Sequence, residues 1–204
     1  MKAKMDGTKV NQKLEVGWSL KMNEDKLTNW FKSVEGEHPE GGKDVEGDGV
    51  LTYGWGHKNI EGRDFTGFTD KDWDSLLQED IKDARARAKQ QYTNMFGKHN
   101  VKLPSGSTYS TQYEVWDMLS EDAQSILTDF TFNVGNFSKS YPKMTEALHK
   151  KDWMTVAKEF ERPGLGTRNS RLFNKFIYPN LSIDEKMELG IPVEKSLINS
   201  MKGM

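Results

Sequence analysis

The sequence predicts a mainly α-helical α+β fold, in which one short strand or hairpin accompanies a series of helices. Apolar residues recur at helical spacing along most of the chain. One short stretch, residues 50–57, instead alternates small and bulky residues, as a strand or hairpin does. At 204 residues the chain is long enough for one domain with a substantial core, together with appendages.

The composition indicates a polar globular chain and excludes several classes of function. The formal net charge of −2 gives no overall attraction to nucleic acid. Cysteine is absent, which excludes disulfides and cysteine-bound zinc and suits a reducing cytoplasm. The four histidines lack metal-ligand spacing and there is no phosphate-binding glycine loop, so we expect no metal and no other cofactor. No apolar run has the length of a signal peptide or a membrane span, so we expect no stable membrane insertion.

The first predicted helix carries a carboxylate at its end. Four apolar residues have the i, i+3, i+4, i+7 spacing of one buried face: Leu27, Trp30, Phe31 and Val34. Gly36 is expected to end the helix, which places Glu35 in the last turn. There the carboxylate faces the negative end of the helix dipole and leans toward the apolar side, and both effects predict a raised pKa for Glu35. A general acid that works near neutral pH needs such a pKa.

An acidic, glycine-rich stretch follows this helix. Residues 35–48 contain six acids and one base: Glu35, Glu37, Glu40, Asp44, Glu46, Asp48 and Lys43. Like charges at this density are expected to raise the carboxyl pKa values further. The predicted hairpin comes next and contains Thr52 and His57.

The remainder of the chain predicts a series of helices. Thr69 begins one that runs to about Tyr92, and its core face is formed by Trp73, Leu77, Ile81, Ala84 and Ala88. Residues 97–110 have the composition of a loop, and residues 112–119 that of a short helix. Ser120 caps an expected central helix, which ends at Gly135. The buried face of that helix is predicted as Ala123, Ile126, Leu127, Phe130 and Val134.

Four more helical segments complete the predicted fold. Residues 137–151 and 152–160 form two short packed helices. The next helix has Leu172, Phe173, Phe176 and Ile177 on its core side. Pro179 is expected to end it, and Ser182 with Glu185 forms a capping box for one more short helix.

Several of these segments together resemble the active-site signature of the phage-type lysozymes, the T-even and lambdoid endolysin family. Five features carry the resemblance: Glu35 followed by Gly36, Asp44 at the family's E-x8-D spacing, T-x-G-x-G-H at residues 52–57, F-N-V-G at residues 132–135, and G-L-x-x-R at residues 164–168. The match covers roughly residues 27–178. The spacing from Asp44 to Thr52 is two residues longer than the family's D-x5-T.

The resemblance implies a lysozyme-like fold, with a small β-hairpin lobe and a larger helical lobe separated by an active-site cleft. It also implies a muramidase that acts on peptidoglycan. By this resemblance, Glu35 delivers a proton to the leaving oxygen. Asp44 stabilises the developing positive charge or activates water, and Thr52 holds that water. The resemblance also implies that water attacks the sugar directly, which inverts the configuration at the anomeric carbon.

Further roles also follow from the resemblance. Phe132, Asn133 and Gly135 would bind the sugar chain. Arg168 would pair with Glu35 or position it, which lowers the carboxyl pKa and opposes the effect of burial. We expect His57 to fix the hairpin through a hydrogen bond rather than to carry protons.

Several alternatives remain open at this point. Glu37, Glu46 or Asp48 could take the place of Asp44, and Asn133 could cap its helix rather than bind sugar. A lytic transglycosylase, which closes the sugar on its own hydroxyl, would use Glu35 alone. A virion structural protein that keeps the fold without the activity is a third hypothesis.

We expect three segments along the chain: an N-terminal arm (residues 1–26), a catalytic domain (residues 27–179) and a C-terminal extension (residues 180–204). The two end segments are candidate contacts for other virion proteins. Without a signal peptide, the enzyme would be carried in the phage particle, as a tail or internal protein, or would wait in the host cytoplasm for a holin.

Overall fold

The computed structural model describes residues 25–35, 38–44, 51–59, 62–97, 101–102, 108–109 and 114–193. These residues are mainly helical, with one three-stranded and one two-stranded antiparallel sheet. The predicted mainly α, α+β fold is therefore confirmed. The chain forms two compact units, residues 1–83 and residues 84–204.

The first unit contains the three-stranded sheet. Helix α1 covers residues 25–35, and the strands are β1 (His38–Asp44), β2 (Leu51–Gly54) and β3 (His57–Lys58). Strand β2 lies between the other two and is antiparallel to both. Helix α2 (Asp70–Phe96) begins in this unit and crosses its boundary.

The start of α2 follows the prediction. The backbone N–H of Thr69 donates to Oδ2 of Asp72 at 2.8 Å, and the backbone N–H of Asp72 lies 3.4 Å from Oγ1 of Thr69. This is a capping box with Asp in the place of Glu.

Buried apolar side chains hold the first unit together. On α1, Leu27, Trp30 and Phe31 are buried as predicted, while Val34 is half-buried. A second group is aromatic and combines buried with partly buried side chains: Phe65, Trp73 and Leu76, packed against Tyr53, Trp55 and Phe68. The aromatic group joins the hairpin to the first turns of α2.

Gly54 allows β2 to pass directly against this aromatic group. Its φ is +52°, and a Cβ at this position would lie 2.5 Å from Cε3 of Trp73. A contact that short requires the strand or the indole ring to move, so only glycine fits here. The first glycine of the T-x-G-x-G-H segment therefore sets how closely the hairpin approaches α2.

The second unit contains the rest of α2 and the remaining elements: β4 (Val101–Lys102), β5 (Thr108–Tyr109), α3 (Glu114–Asp117), α4 (Glu121–Val134), α5 (Phe137–Ser140), α6 (Pro142–Lys150), α7 (Trp153–Glu159), α8 (Gly166–Leu172) and α9 (Ile183–Glu188). A π-helical turn (Phe173–Ile177) and a 3-10 turn (Tyr178–Asn180) follow α8 without a break. None of the described helices is both long enough and apolar enough to cross a bilayer.

Helix α4 is buried on all sides through its middle, as a central helix must be. Residues 125–131 are all buried. Both predicted ends are confirmed: the hydroxyl of Ser120 accepts from the N–H of Ala123 at 3.2 Å, and Gly135 follows with a φ of 72°. The prediction for Val134 is wrong, because this residue lies in the last turn and is 37% exposed.

Two other predictions need correction. Residues 97–110 are not all loop, because Val101 and Lys102 pair with Tyr109 and Thr108. Pro179 does not end its helical segment but lies inside the 3-10 turn, where a missing N–H costs little in the first turn. The predicted capping box between Ser182 and Glu185 is confirmed.

Candidate active site

The carboxylate of Glu35 lies against the turn between β2 and β3. Glu35 is the last helical residue of α1 and is partly buried. A Cβ built on Gly56 would lie 3.2 Å from Oε2 of Glu35 and 3.5 Å from its Cδ. The turn is closed by the N–H of Gly56, which donates to the carbonyl of Tyr53 at 3.1 Å. The hairpin backbone thus reaches the carboxyl group at a position without a side chain.

The pairing of β1 with β2 places Thr52 and Asp44 on adjoining positions. Thr52 lies opposite Lys43, and Asp44 lies opposite Leu51. The register shifts between His38 and Lys43, at the proline- and glycine-containing part of β1. Thr52 is 8% exposed, whereas its neighbour Leu51 is exposed. The side chains of β1, and the rival acids Glu37, Glu46 and Asp48, lie outside the described residues.

His57 binds the long helix. Its Nδ1 lies 3.1 Å and 2.9 Å from the two carboxylate oxygens of Asp80 on α2. The ring also meets Phe65 edge-on, with centroids 5.7 Å apart. This contact is of the hydrogen-bonding kind expected from the sequence, and it holds β3 on α2. The sequence did contain a signal for the partner of His57, since Asp80 adjoins the predicted core face of α2.

Lys32 connects three elements around the Glu35 end of α1. Its Nζ lies 2.5 Å from Oδ1 of Asp74 on α2 and 5.4 Å from the ring centroid of Trp55 in the β2–β3 turn. Both members of the ion pair are partly exposed, so it contributes at most about 1 kcal/mol. We interpret Lys32 as orienting α1 against the turn rather than as stabilising the unit.

The three residues predicted to bind sugar lie at the end of α4 in the second unit. Phe132 and Asn133 are partly buried, and Gly135 is exposed. The side-chain N–H of Asn133 donates to the carbonyl of Asp129 in its own helix, at 2.8 Å. Nε2 of Gln91 donates to the carbonyl of Gly135 at 2.7 Å. The sugar-binding role of this segment stays a prediction.

Arg168 takes part in a buried ion network that the sequence analysis missed. Its Nη2 and Nε donate to Oδ1 of Asp129 at 2.5 Å and 3.2 Å. Nη1 of Arg162 donates to Oδ2 of the same carboxylate at 2.6 Å. Asp129 is 0% exposed and Arg162 is 2% exposed. The pairing of Arg168 with Glu35 stays a prediction.

Two more contacts complete the network. Nε of Arg162 donates to Oδ1 of Asn169 at 3.1 Å, and Nδ2 of Asn169 donates to the backbone carbonyl of Arg162 at 2.8 Å. The guanidinium also lies over the ring of Phe130, 4.4 Å from its centroid. The sequence did contain a signal for this network. Asp129 stands beside Phe130 on a helix with a wide apolar face, and a buried carboxylate requires a cation.

Asp129→Asn is expected to lower the free energy of unfolding by about 3–5 kcal/mol, because two buried guanidinium groups would lose their shared anion. Urea unfolding followed by circular dichroism measures this. The matched control is Asp117→Asn, which breaks a partly exposed pair with Lys89 and should cost less than about 1 kcal/mol. Equal stability of the two variants would contradict the proposed importance of the network.

Comparison with known proteins adds one result. The family model described as phage lysozyme matches residues 32–168, about two thirds of the chain. The matched range includes every candidate site residue named above. No curated protein and no solved structure matches the chain. Among the described residues, no three His, Asp or Glu side chains come together as a metal ion would require.

Proposed function

The chain belongs to the phage lysozyme family, and on that basis we propose that it is a muramidase. Membership of this family makes it a lysozyme-type glycoside hydrolase with peptidoglycan as its substrate. The bond that we propose it cleaves is the β-1,4 link between N-acetylmuramic acid and N-acetylglucosamine. The proposal goes beyond the family in naming that bond, the catalytic residues and the fate of the sugar.

The position of Glu35 carries the proposal. Its carboxyl group lies beside Gly56, which has no Cβ. Gly56 belongs to the hairpin that also holds Thr52. In its protonated form, Glu35 donates a proton to the glycosidic oxygen as the bond breaks. The close backbone at Gly56 restricts where the carboxyl group can turn, and a fixed acid is what proton transfer requires.

Asp44 is the proposed partner carboxylate. Its charge stabilises the oxocarbenium-like transition state or removes a proton from the attacking water, which Thr52 holds. The register supports this choice, since Asp44 lies one position from the Lys43–Thr52 pair. The two residues that this chain has in excess of the family spacing lie between Asp44 and Thr52.

The remaining proposed roles concern substrate and support. Phe132, Asn133 and Gly135 are the residues that we propose to bind the sugar chain. His57 holds β3 through Asp80, and so keeps the neighbouring Gly56 in place. Arg168, which binds Asp129, is the residue that the resemblance assigns to positioning Glu35.

The products of digestion test the proposed reaction. Peptidoglycan digested with the purified full chain is expected to release muropeptides with reducing N-acetylmuramic acid ends, which borohydride converts to alcohols before mass spectrometry. A transglycosylase would release 1,6-anhydro ends that borohydride leaves unchanged. Anhydro products would therefore overturn the hydrolase proposal while keeping Glu35 as the acid. A protein that leaves peptidoglycan intact would favour a structural virion component.

We also propose that the enzyme degrades the host wall for a phage, at entry or at lysis. The family match supports a catalytic domain within residues 27–179, flanked by segments that could bind virion proteins. Residues 1–24 and 194–204 lie outside the described part of the chain. Detection of the protein in purified particles would favour entry, and its recovery only from infected cells would favour lysis.

A further inference from the structure

The ammonium group of Lys32 is bound by residues outside its own helix. Lys32 lies one turn before Glu35 on α1, and both side chains are partly buried. Side chains three residues apart on a helix are neighbours, so a lysine at this position can reach the carboxyl group of Glu35. In the structure, Nζ of Lys32 lies 2.5 Å from Oδ1 of Asp74 on α2 and 5.4 Å from the ring centroid of Trp55 in the hairpin turn.

The packing of α2 fixes the backbone of Asp74 beside the hairpin. Its neighbour Trp73 is buried, and a Cβ added to Gly54 would stand 2.5 Å from Cε3 of the indole ring. Buried apolar contacts therefore set the position of this part of α2. The ion pair itself is partly exposed and too weak to do so. The ion pair instead determines where the positive charge of Lys32 lies.

The place of that charge matters because a general acid must be protonated before it can donate. A cation beside a carboxyl group favours the ionised form and lowers the carboxyl pKa. The acid then loses its proton at a lower pH and is less able to act near neutrality. This direction holds whatever other groups contact Glu35, because an added cation lowers the carboxyl pKa from any starting value.

We propose that Asp74 is a positioning residue for the general acid: it binds the ammonium of Lys32 and so keeps this positive charge away from Glu35. Trp55 provides the second contact of the ammonium, in the turn that also brings Gly56 to the carboxyl group. Asp74 acts only through Lys32, without contact to the reacting atoms. The consequence for catalysis rests on the proposed function of Glu35, whereas the effect on its protonation does not.

Carbon-13 nuclear magnetic resonance of the full chain tests the proposal, because the side-chain carboxyl signal of Glu35 reports its protonation. The signal is assigned by its absence from Glu35→Gln. Asp74→Asn frees the ammonium of Lys32 and should lower the titration midpoint of Glu35 by about 0.3 pH units. Asp70→Asn is the matched control, since it removes an exposed carboxylate one turn earlier on α2 and should move the midpoint less.

Lys32→Met separates the charge of Lys32 from that of Asp74. If the effect runs through Lys32, Asp74→Asn should move the Glu35 midpoint much less in the Lys32→Met protein. An equal shift with and without Lys32 would overturn the proposal, because it would reveal a direct effect of Asp74 on Glu35. An unchanged midpoint in Asp74→Asn would overturn it as well. Circular dichroism should show every variant folded, since the ion pair is partly exposed.

The other charged groups around α1 are the same in all of these proteins. Within the first unit they lie on the helices and strands as follows: Asp25 and Lys26 on α1, Lys43 and Asp44 on β1, His57 and Lys58 on β3, and Lys71 and Asp80 on α2. Arg168 is the cation that the resemblance assigns to Glu35. Because the cycle of Lys32 and Asp74 variants changes none of these groups, their contributions cancel when the two Asp74→Asn shifts are compared.

The pH dependence of hydrolysis separates this proposal from the muramidase proposal. Glu35 donates while it is protonated, so activity falls as the pH rises through its pKa. Asp74→Asn should move this alkaline limb down by about 0.3 pH units, leave the rate at low pH unchanged, and be reversed by Lys32→Met. A moved midpoint with an unmoved limb would support the role of Asp74 and overturn Glu35 as the acid. A moved limb with an unmoved midpoint would overturn the role of Asp74.

Discussion

Glu35→Gln is expected to lower the rate of peptidoglycan hydrolysis about 10³-fold, because glutamine keeps the size of the side chain but has no proton to deliver. Turbidity loss of a peptidoglycan suspension measures this rate. The matched control is Glu79→Gln, an exposed acid on α2 in the same unit, which should retain full activity. Circular dichroism and thermal unfolding should show both variants folded.

A Glu35→Gln protein that still clears the suspension would exclude Glu35 as the acid. The acids between residues 37 and 48 would then be the next candidates for the general acid. If Glu35→Gln and Glu79→Gln lost activity equally, the loss would reflect general damage rather than catalysis. Asp44→Asn, measured in the same assay, then tests the proposed partner carboxylate separately.

Gly56→Ala is expected to lower the catalytic rate by about 10- to 100-fold, with a loss of stability of only about 1–2 kcal/mol. The added methyl group would stand 3.2 Å from Oε2 of Glu35, closer than most contacts in folded proteins. Displacement of the carboxyl group by a fraction of an ångström would spoil proton transfer, while the folded state would adjust.

Gly62→Ala separates strain from contact. Gly62 also has a positive φ, of 67°, yet a Cβ there would meet nothing within 4 Å. Both alanine variants place a side chain at a positive φ, but only Gly56→Ala also touches Glu35. Equal activity of the two variants, measured where both are folded, would refute a positioning role for Gly56.

The parts of the fold that sequence reasoning predicted are those fixed by local rules. The spacing of Leu27, Trp30 and Phe31 predicted the buried face of α1, and Ser120 and Gly135 predicted both ends of α4. These signals depend on neighbouring residues alone. The closeness of Glu35 to the hairpin was expected only through the resemblance, since no local rule brings Gly56 to the end of α1.

The missed features depend on residues far apart in the chain. Asp129 meets Arg162 and Arg168 across more than thirty residues, and nothing in the local pattern of α4 pairs them. In the hairpin of β4 and β5, each strand has two residues, too short for an alternating pattern to be visible. Turn-forming residues dominated that segment, and the prediction followed them.

The π-helical turn after α8 has a consequence for how this chain tolerates changes in length. Leu172, Phe176 and Ile177 are all fully buried, although positions i, i+4 and i+5 do not share one side of a regular α-helix. The wider turn brings Ile177 back to the side of Leu172. Removing one residue from 173–175 would place the two later side chains at i+3 and i+4, where an ordinary helix also keeps them inward. We therefore expect this segment to lose a residue with less damage to its packing than the tightly enclosed middle of α4.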